Sequence, residues 1–532
     1  MKTHLFVSFC FAILTACLTP AIQADVRLPE IFDNNMVLQR DMPIPIWGWA
    51  EPGEPVTVTF GNHSLSAKYV TADGKWQVEL PPLKANAAPA PLTIKGKNEI
   101  KLENVLVGDV WLCSGQSNME WAMTWCDKAE YEEVLKNVDN PNIRLFHVRK
   151  TFNADPQETL HLDATWQPCK AETIPNFSAV ALHFGRMLQA ELGVPIGLIN
   201  SSWGGTRIEP WIPPVGFQSV PALKSIADDV EVRNPQSKAY QELWNSTIRE
   251  QRAWLDEFSK PTGRRVPPPP QFPGQLVPYA DQQQPTTLYN AMIHPMVPFA
   301  LKGAIWYQGE SNMGEGMLYA EKMKALIQGW RTVFNNPELG FYYVQLAPFI
   351  YWEGTPATTL PEFWEAQSSV EKVVPLTGQA VINDTVDDLK DIHPARKKPV
   401  GERLALLALN RTYGKSDVVA ASPEFDQLGT GEKNELIVHF KNAKNLQTLD
   451  GKAPDWFEIA GADGVFHKAD AVLTGMYNSE NSRDLKATMI TLRSPNVQKP
   501  HAVRYAWDQS AQPNVVNEAG LPLGAFRAGV TE

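Results

Sequence analysis

The pattern of apolar and polar residues divides the chain into three parts, of which the first is residues 25–104. Short runs that alternate apolar and polar residues, such as Trp76–Leu80, are separated there by Pro-Gly, Asp-Gly and Gly-Lys turns. Short alternating runs separated by such turns are typical of antiparallel β-structure. We therefore predict a β-sandwich-like N-terminal domain, with Ile44–Trp49 as an edge strand because Pro45 has no N–H for a central ladder.

The second part, residues 105–417, alternates continuous apolar runs with amphipathic helical patterns. Val105–Cys113 is typical of a strand buried on both faces, and Phe177–Leu192 has apolar residues at helical spacing. This alternation predicts an α/β domain built on a parallel sheet. A polar, Pro-rich stretch near residues 213–285 is too long for a plain loop and is interpreted as an insertion. Residues 418–532 return to strand-like runs and predict a β-rich C-terminal domain.

The N-terminus has the pattern of an export signal. Lys2 precedes an apolar segment, Leu5–Leu18, that is too short to span a membrane. Ala21–Ala24 fits a signal-peptidase site, whereas Leu14–Cys17 resembles a bacterial lipobox in which Cys17 would be lipidated. The pattern favours the first site and a signal peptide of residues 1–24. We expect the mature protein to be periplasmic, secreted, or anchored outside the inner membrane.

Removal of residues 1–24 leaves three cysteines, Cys113, Cys126 and Cys169. An oxidising compartment permits one disulfide, and Cys126 with Cys169 is the favoured pair. Cys113 falls inside the strand that precedes a turn, so we expect a buried, inert thiol there rather than a nucleophile.

Composition and charge exclude some classes of function. The net charge of −11 and the pI near 5.5 argue against a surface for nucleic acid or anionic membranes, both of which need clustered Lys and Arg. No segment beyond the N-terminus is long and apolar enough to span a membrane. The 17 Trp residues suit carbohydrate stacking, but core packing in a β-rich protein explains them more readily.

Candidate chemistry lies at the ends of the predicted strands. Ser117 follows the turn Gly115-Gln116 and is placed for a nucleophile, and His393 is the natural base, with Asp391 two residues before it. Backbone N–H groups of Ser117 and Gly205, with the Asn312 amide, are candidate oxyanion donors. Each residue alone has a structural explanation: a helix cap for Ser117 and Asn312, a turn for Gly205, and a helix entry for His393.

Longer motifs add a resemblance to a known family. GQSNMEW, NSSWGGTRIEPW, LYNAMIHPM, WYQGESN and DIHP together resemble the sialate O-acetylesterase family of the SGNH hydrolase superfamily, from about residue 28 to residue 527. The resemblance implies a flavodoxin-like catalytic domain between β-rich domains and metal-independent chemistry without a cofactor. It also implies that Ser117 is the nucleophile, His393 the base, and Gly205 and Asn312 the oxyanion donors.

The motifs do not identify the acidic residue that would complete a Ser-His-acid catalytic triad. Many members of the wider superfamily place it three residues before the histidine, where this chain has Lys390. We therefore predict Asp391 as the acid, with Asp384 or a Ser-His dyad without an acid as the alternatives.

The resemblance implies an O-acetylated sialic acid as substrate. Acetylated xylan or another acetylated polysaccharide is the alternative substrate, and a non-catalytic glycan-binding protein is the alternative from another class of function.

Five residues that flank the motifs are expected to shape the sugar pocket: Gln116, Trp203, Arg207, Gln308 and Glu310. For Arg207 an ion pair with Glu209 is an equally good explanation. His294 is expected to be structural, and the oligomeric state is open.

Overall fold

The computed structural model describes residues 25–160, 164–260, 263, 265–432, 434–477 and 485–530. The predicted signal peptide, including Cys17, lies outside the described residues. None of the helices in the described part combines the length and the apolar character needed to cross a bilayer.

The strands are, in chain order, β1 (Val37–Gln39), β2 (Ile44–Trp49), β3 (Thr57–Phe60), β4 (His63–Ser66), β5 (Lys75–Leu80), β6 (Asn86–Lys95), β7 (Glu99–Gly115), β8 (Asn140–His147), β9 (Trp166–Cys169), β10 (Ile196–Ser202), β11 (Gly303–Tyr307), β12 (Gly340–Val344), β13 (Thr377–Ala380), β14 (Glu424–Thr430), β15 (Leu436–Lys441), β16 (Gln447–Thr448), β17 (Phe457–Ala460), β18 (His467–Lys468), β19 (Asp470–Tyr477), β20 (Leu485–Arg493), β21 (Ala502–Tyr505), β22 (Val515–Val516) and β23 (Phe526–Ala528).

The α-helices are α1 (Ser117–Glu120), α2 (Lys128–Leu135), α3 (Ala179–Leu192), α4 (Pro214–Gln218), α5 (Lys224–Arg233), α6 (Lys238–Phe258), α7 (Met317–Val333), α8 (Thr359–Val373) and α9 (Lys398–Leu407). The predicted insertion contains α4, α5 and α6. Short 3₁₀ turns cover Met123–Trp125, Glu209–Trp211, Pro221–Leu223, Gly274–Leu276, His294–Met296 and Glu310–Asn312, and π-helical turns cover Tyr289–Ile293 and Ala408–Thr412.

A mostly parallel sheet forms the centre of the molecule. Its strands lie in the order β13-β12-β11-β7-β10-β8-β9, and every neighbouring pair except β8 with β9 is parallel. Parallel strands connected by helices are covered on both faces, which explains why β10, β11, β12 and β13 are buried along their whole length. The α/β prediction for this part is confirmed.

Two groups of helices cover opposite faces of this sheet. Trp111 of β7 packs edge-on against Phe184 of α3 at 5.0 Å, and α3 packs on α9. Trp306 of β11 packs edge-on against Trp330 of α7 at 5.9 Å, and α7 packs on α4 and α8. Trp306 pairs with Ser114, which lies an odd number of residues from Trp111, so the two indoles point to opposite sides.

Strand β7 crosses the predicted boundary between the first two parts. Its first half pairs antiparallel with β6, which pairs with β3, and its second half pairs parallel with β10 and β11. β1 adds a further parallel pair to the middle of β7. The N-terminal strands and the central sheet therefore share one continuous strand rather than meeting at a linker between residues 104 and 105.

The rest of the described chain contains further antiparallel sheets. β2 and β5 form a two-stranded ribbon near the N-terminus, so the prediction of an edge strand over Ile44–Trp49 agrees with the structure. Beyond residue 418, antiparallel sheets have the orders β14-β15-β20-β19 and β18-β17-β21-β23, and β16 pairs with β22. The molecule is thus a mixed α/β protein with additional β-rich sheets.

The predicted disulfide is wrong. Cys126 and Cys169 are both free, and each directs its thiol to a different backbone carbonyl, Ala122 and Val138 respectively. Burial raises the pKa of both thiols, that of Cys169 to about 12. Cys113 is also free, and its complete burial raises its thiol pKa, which agrees with the predicted inert thiol.

Candidate active site

Three neighbouring strands bring the sequence motifs to one edge of the central sheet. β7 lies between β10 and β11, and the three parallel strands end at Gly115, Ser202 and Tyr307. Because parallel strands present their carboxyl ends at the same edge, the segments that follow them are neighbours. Contact is direct, since a Cβ placed on Gly204 would lie 3.2 Å from Cβ of Ser117.

The turn that carries Ser117 requires glycine. Gly115 has φ +142°, and a Cβ there would lie 2.1 Å from the carbonyl oxygen of Tyr307 on β11. This close approach lets the chain leave β7 sharply and enter α1 at Ser117, which is half-buried. Strand, turn and helix start are therefore where the sequence predicts them.

Ser117 and His393 are hydrogen-bonded partners. Nε2 of His393 lies 2.9 Å from Oγ of Ser117, although 276 positions separate the two residues in sequence. The indole of Trp121 stacks on the imidazole with ring centroids 4.9 Å apart and planes at 22°. The histidine ring is thus fixed between its hydrogen bond to the serine and an aromatic face.

His393 lies in an irregular segment. The sequence predicts that Asp391–Pro394 opens a helix, but α9 begins only at Lys398. Pro394 disfavours helical geometry at the residue before it, which explains the later start. The His393 ring is therefore held by side-chain contacts rather than by a helix.

Asp391 is close to His393 but is not hydrogen-bonded to its ring. Oδ1 of Asp391 lies 3.9 Å from Nδ1 of His393 and instead accepts the backbone N–H of His393 at 2.8 Å. The carboxylate is 54% exposed, so water screens its charge. In this structure Ser117 and His393 form a dyad with a nearby acid rather than a closed triad.

The alternative acid, Asp384, is committed elsewhere. Both of its carboxylate oxygens accept from the guanidinium of Arg403 at 2.6 Å. A bidentate pair of this kind occupies the carboxylate face that a histidine would need. The structure thus favours Asp391 over Asp384.

The electrostatic surroundings lower the pKa of His393. Burial is the main cause, and the positive charge of Lys397 adds to it, whereas Asp391 and Glu120 act in the opposite direction. A histidine with a lowered pKa is neutral at pH 7, which is the form that can accept a proton.

A buried network connects the nucleophile helix to the histidine segment. Asn118, next to Ser117, donates to Glu310 at 2.6 Å and to the carbonyl of Ile392 at 3.1 Å, and it accepts from Lys397 at 2.5 Å. Burial lowers the pKa of Lys397 to about 8 and raises that of Glu310. Asn118 therefore holds the residue before His393 in place, and Glu310 is part of the same network through its bond to Asn118.

Two backbone N–H groups are free beside Ser117. Ser117 is the first residue of α1, so its N–H has no partner within the helix, and neither it nor the N–H of Gly205 has another partner among the described residues. The Gly205 carbonyl accepts from Gln283 at 2.8 Å and from Ser311 at 3.0 Å. The carbonyl of Gly205 is therefore fixed, while the N–H of the same residue, which belongs to the preceding peptide group, is available as a donor.

The side-chain amide of Asn312 is not available as the predicted oxyanion donor. Its Nδ2 donates to Glu209 at 3.0 Å and to Glu315 at 3.2 Å, and its Oδ1 accepts from the N–H of Ile208 and from Gln308. Both amide hydrogens are thus committed to carboxylates. We correct the sequence prediction on this point, because Asn312 fixes the loop after β10 and does not present a donor.

Arg207 and Gln308 also have structural partners. Arg207 pairs with Glu209 and with Glu315, as the ion-pair explanation expected. Buried Lys322 bonds the same two carboxylates at 2.6 Å each. Gln308 donates to the carbonyl of Thr206 and to Asn312, and its amide oxygen accepts from Tyr319. Gln308 therefore has no free polar atom for the predicted sugar contact, whereas Arg207, whose side chain is 41% exposed, keeps Nη1 without a partner among the described residues.

Gln116 offers the donor that Asn312 lacks. The residue is 3% exposed, and its Oε1 accepts from the N–H groups of Gly309 and Ser311 at 3.3 and 3.4 Å. Its Nε2 has no partner among the described residues. Ser311 thus contacts both the Gln116 amide oxygen and the Gly205 carbonyl, which joins Gln116 to the loop that carries Gly205.

Several tryptophans lie close to the site. Trp203 immediately precedes the Gly204-Gly205 turn, and its N–H bonds the Gly115 carbonyl. Trp125 is 53% exposed and packs edge-on against Trp121, the ring on His393. Among these residues, the sequence predicted a site role only for Trp203 and not for Trp121, Trp125 or Lys397. Trp121 could have been found from its place in the NMEW motif, four residues after Ser117.

No cluster with the composition of a metal site is present in the described part of the chain. Three or more His, Cys, Asp or Glu side chains are nowhere grouped there so that they could hold an ion.

A histidine-paired serine at the carboxyl edge of a parallel sheet, beside two free N–H groups, is the arrangement of a serine esterase. Comparison with known proteins narrows this class. The family model described as carbohydrate esterase, sialic acid-specific acetylesterase matches residues 107–248 and 276–405. The chain belongs to this family and is an esterase.

Relatives match over most of the chain. The sialate O-acetylesterase of Rattus norvegicus is 31% identical over 518 residues, covering 90% of this chain and 89% of that protein. The human sialate O-acetylesterase is 28% identical, and the match covers 95% of this chain and 93% of that protein. The crystal structure of a carbohydrate acetylesterase from Xanthomonas citri is 32% identical, covers 94% of this chain and 99% of that chain, and superimposes with a TM-score of 0.76.

Proposed function

We propose that this protein removes O-acetyl groups from sialic acids through an acetyl-enzyme formed on Ser117. The observation that carries the proposal is the 2.9 Å contact between His393 Nε2 and Ser117 Oγ beside the unpartnered N–H groups of Ser117 and Gly205. The family to which the chain belongs and the sialate O-acetylesterases that it resembles support the substrate.

The proposed reaction has two halves. Oγ of Ser117 attacks the acetyl carbonyl carbon while Nε2 of His393 takes the hydroxyl proton. His393 then gives that proton to the sugar oxygen as the ester bond breaks. In the second half, His393 deprotonates a water that attacks the acetyl carbonyl, and acetate leaves as Ser117 recovers its proton.

The proposed oxyanion hole consists of three donors. The N–H groups of Ser117 and Gly205 and the Nε2 of Gln116 would surround the oxygen that becomes negative in each half. The Gln116 amide is oriented for this task, because two backbone N–H groups hold its oxygen and leave its nitrogen free.

Another acetylated carbohydrate is the second candidate substrate. The match to the Xanthomonas citri carbohydrate acetylesterase supports it, and the proposed chemistry requires only an acetyl ester within reach of Ser117. Acetate release from a panel of O-acetylated sialic acids and acetylated xylan decides between them. Preference for xylan would overturn the sialic acid proposal, and sugar binding without acetate release would favour a glycan-binding protein.

We also propose that the central sheet is of the flavodoxin-like SGNH type. Numbered by their order in the chain, β7, β10, β11, β12 and β13 lie in the sheet order 2-1-3-4-5, which is that of flavodoxin-like folds, with β8 as an addition beyond β10. The proposed nucleophile then lies where the strand order reverses, the place at which such sheets bind ligands.

Export of the protein is a further part of the proposal and rests on the sequence of residues 1–24. N-terminal sequencing of the protein secreted by a bacterial host tests it, with Asp25 expected as the first residue. A lipid-labelled protein whose labelling is lost in Cys17→Ala would instead support the lipoprotein alternative.

A further inference from the structure

A second cleft lies between the N-terminal β2–β5 ribbon and the α/β part. It encloses about 770 Å³, within the range of pockets that bind organic ligands. Ser117, Gly205 and His393 are not among the residues that line it. The cleft is therefore separate from the proposed acetyl site.

One wall of this cleft is the outer face of the ribbon. Trp47 pairs with Gln77, and Trp49 pairs with Lys75, across the two antiparallel strands. Side chains alternate between the faces of a strand, so these four residues share one face while the residues between them point to the core. Aromatic rings thus lie beside an amide and an ammonium group on a rigid surface.

Contacts across the cleft fix this surface. Glu158, from the segment between β8 and β9, accepts the indole N–H of Trp49 at 3.1 Å and pairs with Lys75. Tyr69, which also lines the cleft, is 70% exposed. The cleft therefore has one aromatic ring held in position and a second one open to a ligand.

The charges around the cleft cancel, because Arg27, 5.9 Å from the Trp49 ring, is offset by Asp73, 3.6 Å from Lys75. Lys68 and Lys75 balance Glu79 and Glu158, and Lys75 is already paired with Glu158. An anionic sugar would find no excess of positive charge here. The amide of Gln77 and the ammonium of Lys68 have no partners among the described residues, so both are available to hydroxyl groups.

We propose that this cleft binds an uncharged oligosaccharide. The apolar faces of pyranose rings would stack on Trp49 and Tyr69, and their hydroxyls would hydrogen-bond with Gln77 and Lys68, because aromatic rings with planar polar neighbours complement both surfaces of a sugar. This proposal rests on the proposed function for its ligand class, carbohydrate. It adds a second binding site, which would hold uncharged sugar units at a distance from the acetyl ester that is cleaved.

The test measures binding by calorimetry, with the Ser117→Ala protein so that no ligand is consumed. Xylohexaose and mannohexaose are the uncharged probes, and 3′-sialyllactose is the charged one. We expect at least one uncharged probe to bind and its affinity to fall about fivefold or more in Tyr69→Ala and Trp49→Ala. Trp244→Ala, which changes an exposed aromatic outside the cleft, is the matched control.

Hydrolysis of p-nitrophenyl acetate separates this proposal from the proposed function. Tyr69→Ala and Trp49→Ala in the otherwise unaltered protein should leave that rate unchanged, which also shows that they fold. Binding of neither uncharged probe, tighter binding of 3′-sialyllactose, or a loss confined to Trp125→Ala would overturn the cleft proposal. Full activity of Ser117→Ala on the small ester would instead overturn the serine mechanism without affecting the binding result.

Discussion

His393 bonds Ser117 at 2.9 Å with one ring nitrogen, while its other nitrogen is 3.9 Å from the nearest oxygen of Asp391. The first distance is a hydrogen bond and the second is not. Ser117 is therefore hydrogen-bonded to His393 in this structure, whereas Asp391 acts on the imidazole only through its charge. We therefore expect substitution of Ser117 to reduce activity far more than substitution of Asp391.

Ser117→Ala should reduce kcat on acetyl esters by about 10⁴-fold or more, because no other side chain is placed to form the acetyl-enzyme. Steady-state acetate release measures the loss, and Ser64→Ala on exposed β4 is the control for a serine change that touches nothing in the site. A variant that keeps even a tenth of the activity would contradict the nucleophile assignment.

Asp391→Asn should lower kcat/KM by only about tenfold, because the lost interaction is a screened charge and not a hydrogen bond. Asp384→Asn should instead cost about 3 kcal/mol of unfolding free energy through the loss of its bidentate pair with Arg403, with kcat of the folded enzyme unchanged. Kinetics and urea unfolding of both variants check this. A loss of 10³-fold in Asp391→Asn would indicate that the triad closes during catalysis.

Gln116→Leu should lower kcat about 100-fold with little change in KM, the effect of removing one oxyanion donor. Asn312→Leu should mainly destabilise the fold, because Asn312 joins Glu209 and Glu315 to the loop after β10. Thermal unfolding and kinetics on the same preparations separate the two effects. The reverse ranking of kcat values would restore Asn312 as the donor.

The acid limb of the pH profile should lie below pH 6.5, since His393 must be neutral to act as base and its pKa is lowered from that value. Lys397→Met removes a positive charge that favours neutral imidazole, so the His393 pKa should rise and the limb should move to higher pH. Lys398→Met, which changes an exposed lysine paired with Glu133, is the control and should leave the limb in place. A shift to lower pH in Lys397→Met would contradict this electrostatic account.

Dithiothreitol should leave the melting temperature unchanged, because Cys113, Cys126 and Cys169 are free in the structure. Thiol titration of the unfolded, unreduced protein should find all three. A drop of several degrees on reduction would show that the protein acquires a disulfide on export.

Local sequence pattern predicted the structural position of Ser117 correctly, because a buried strand, a glycine turn and a helix start are consecutive in the chain. The partner of Ser117 was also predictable, since His393 follows another strand of the same parallel sheet. Neither prediction required interatomic distances, because both depended only on the rule that parallel strands end at the same edge of their sheet.

Asn312 and the cysteines could not be predicted in the same way. The amide of Asn312 is consumed by Glu209, which is 103 positions away in sequence and acts together with Lys322. Cys126 and Cys169 were the favoured pair, yet the sequence does not reveal that one thiol faces Ala122 and the other Val138. Such outcomes depend on tertiary contacts that a single sequence does not encode locally.

The uninterrupted strand Glu99–Gly115 has a consequence for how this protein can be divided. A catalytic fragment that begins at Val105 would begin inside a strand and would lose the pairing of β7 with β1 and β6. The N-terminal sheet is therefore a structural part of the esterase rather than an appended module that can be exchanged. Evolution or engineering that alters it would act on the same strand that leads to Ser117.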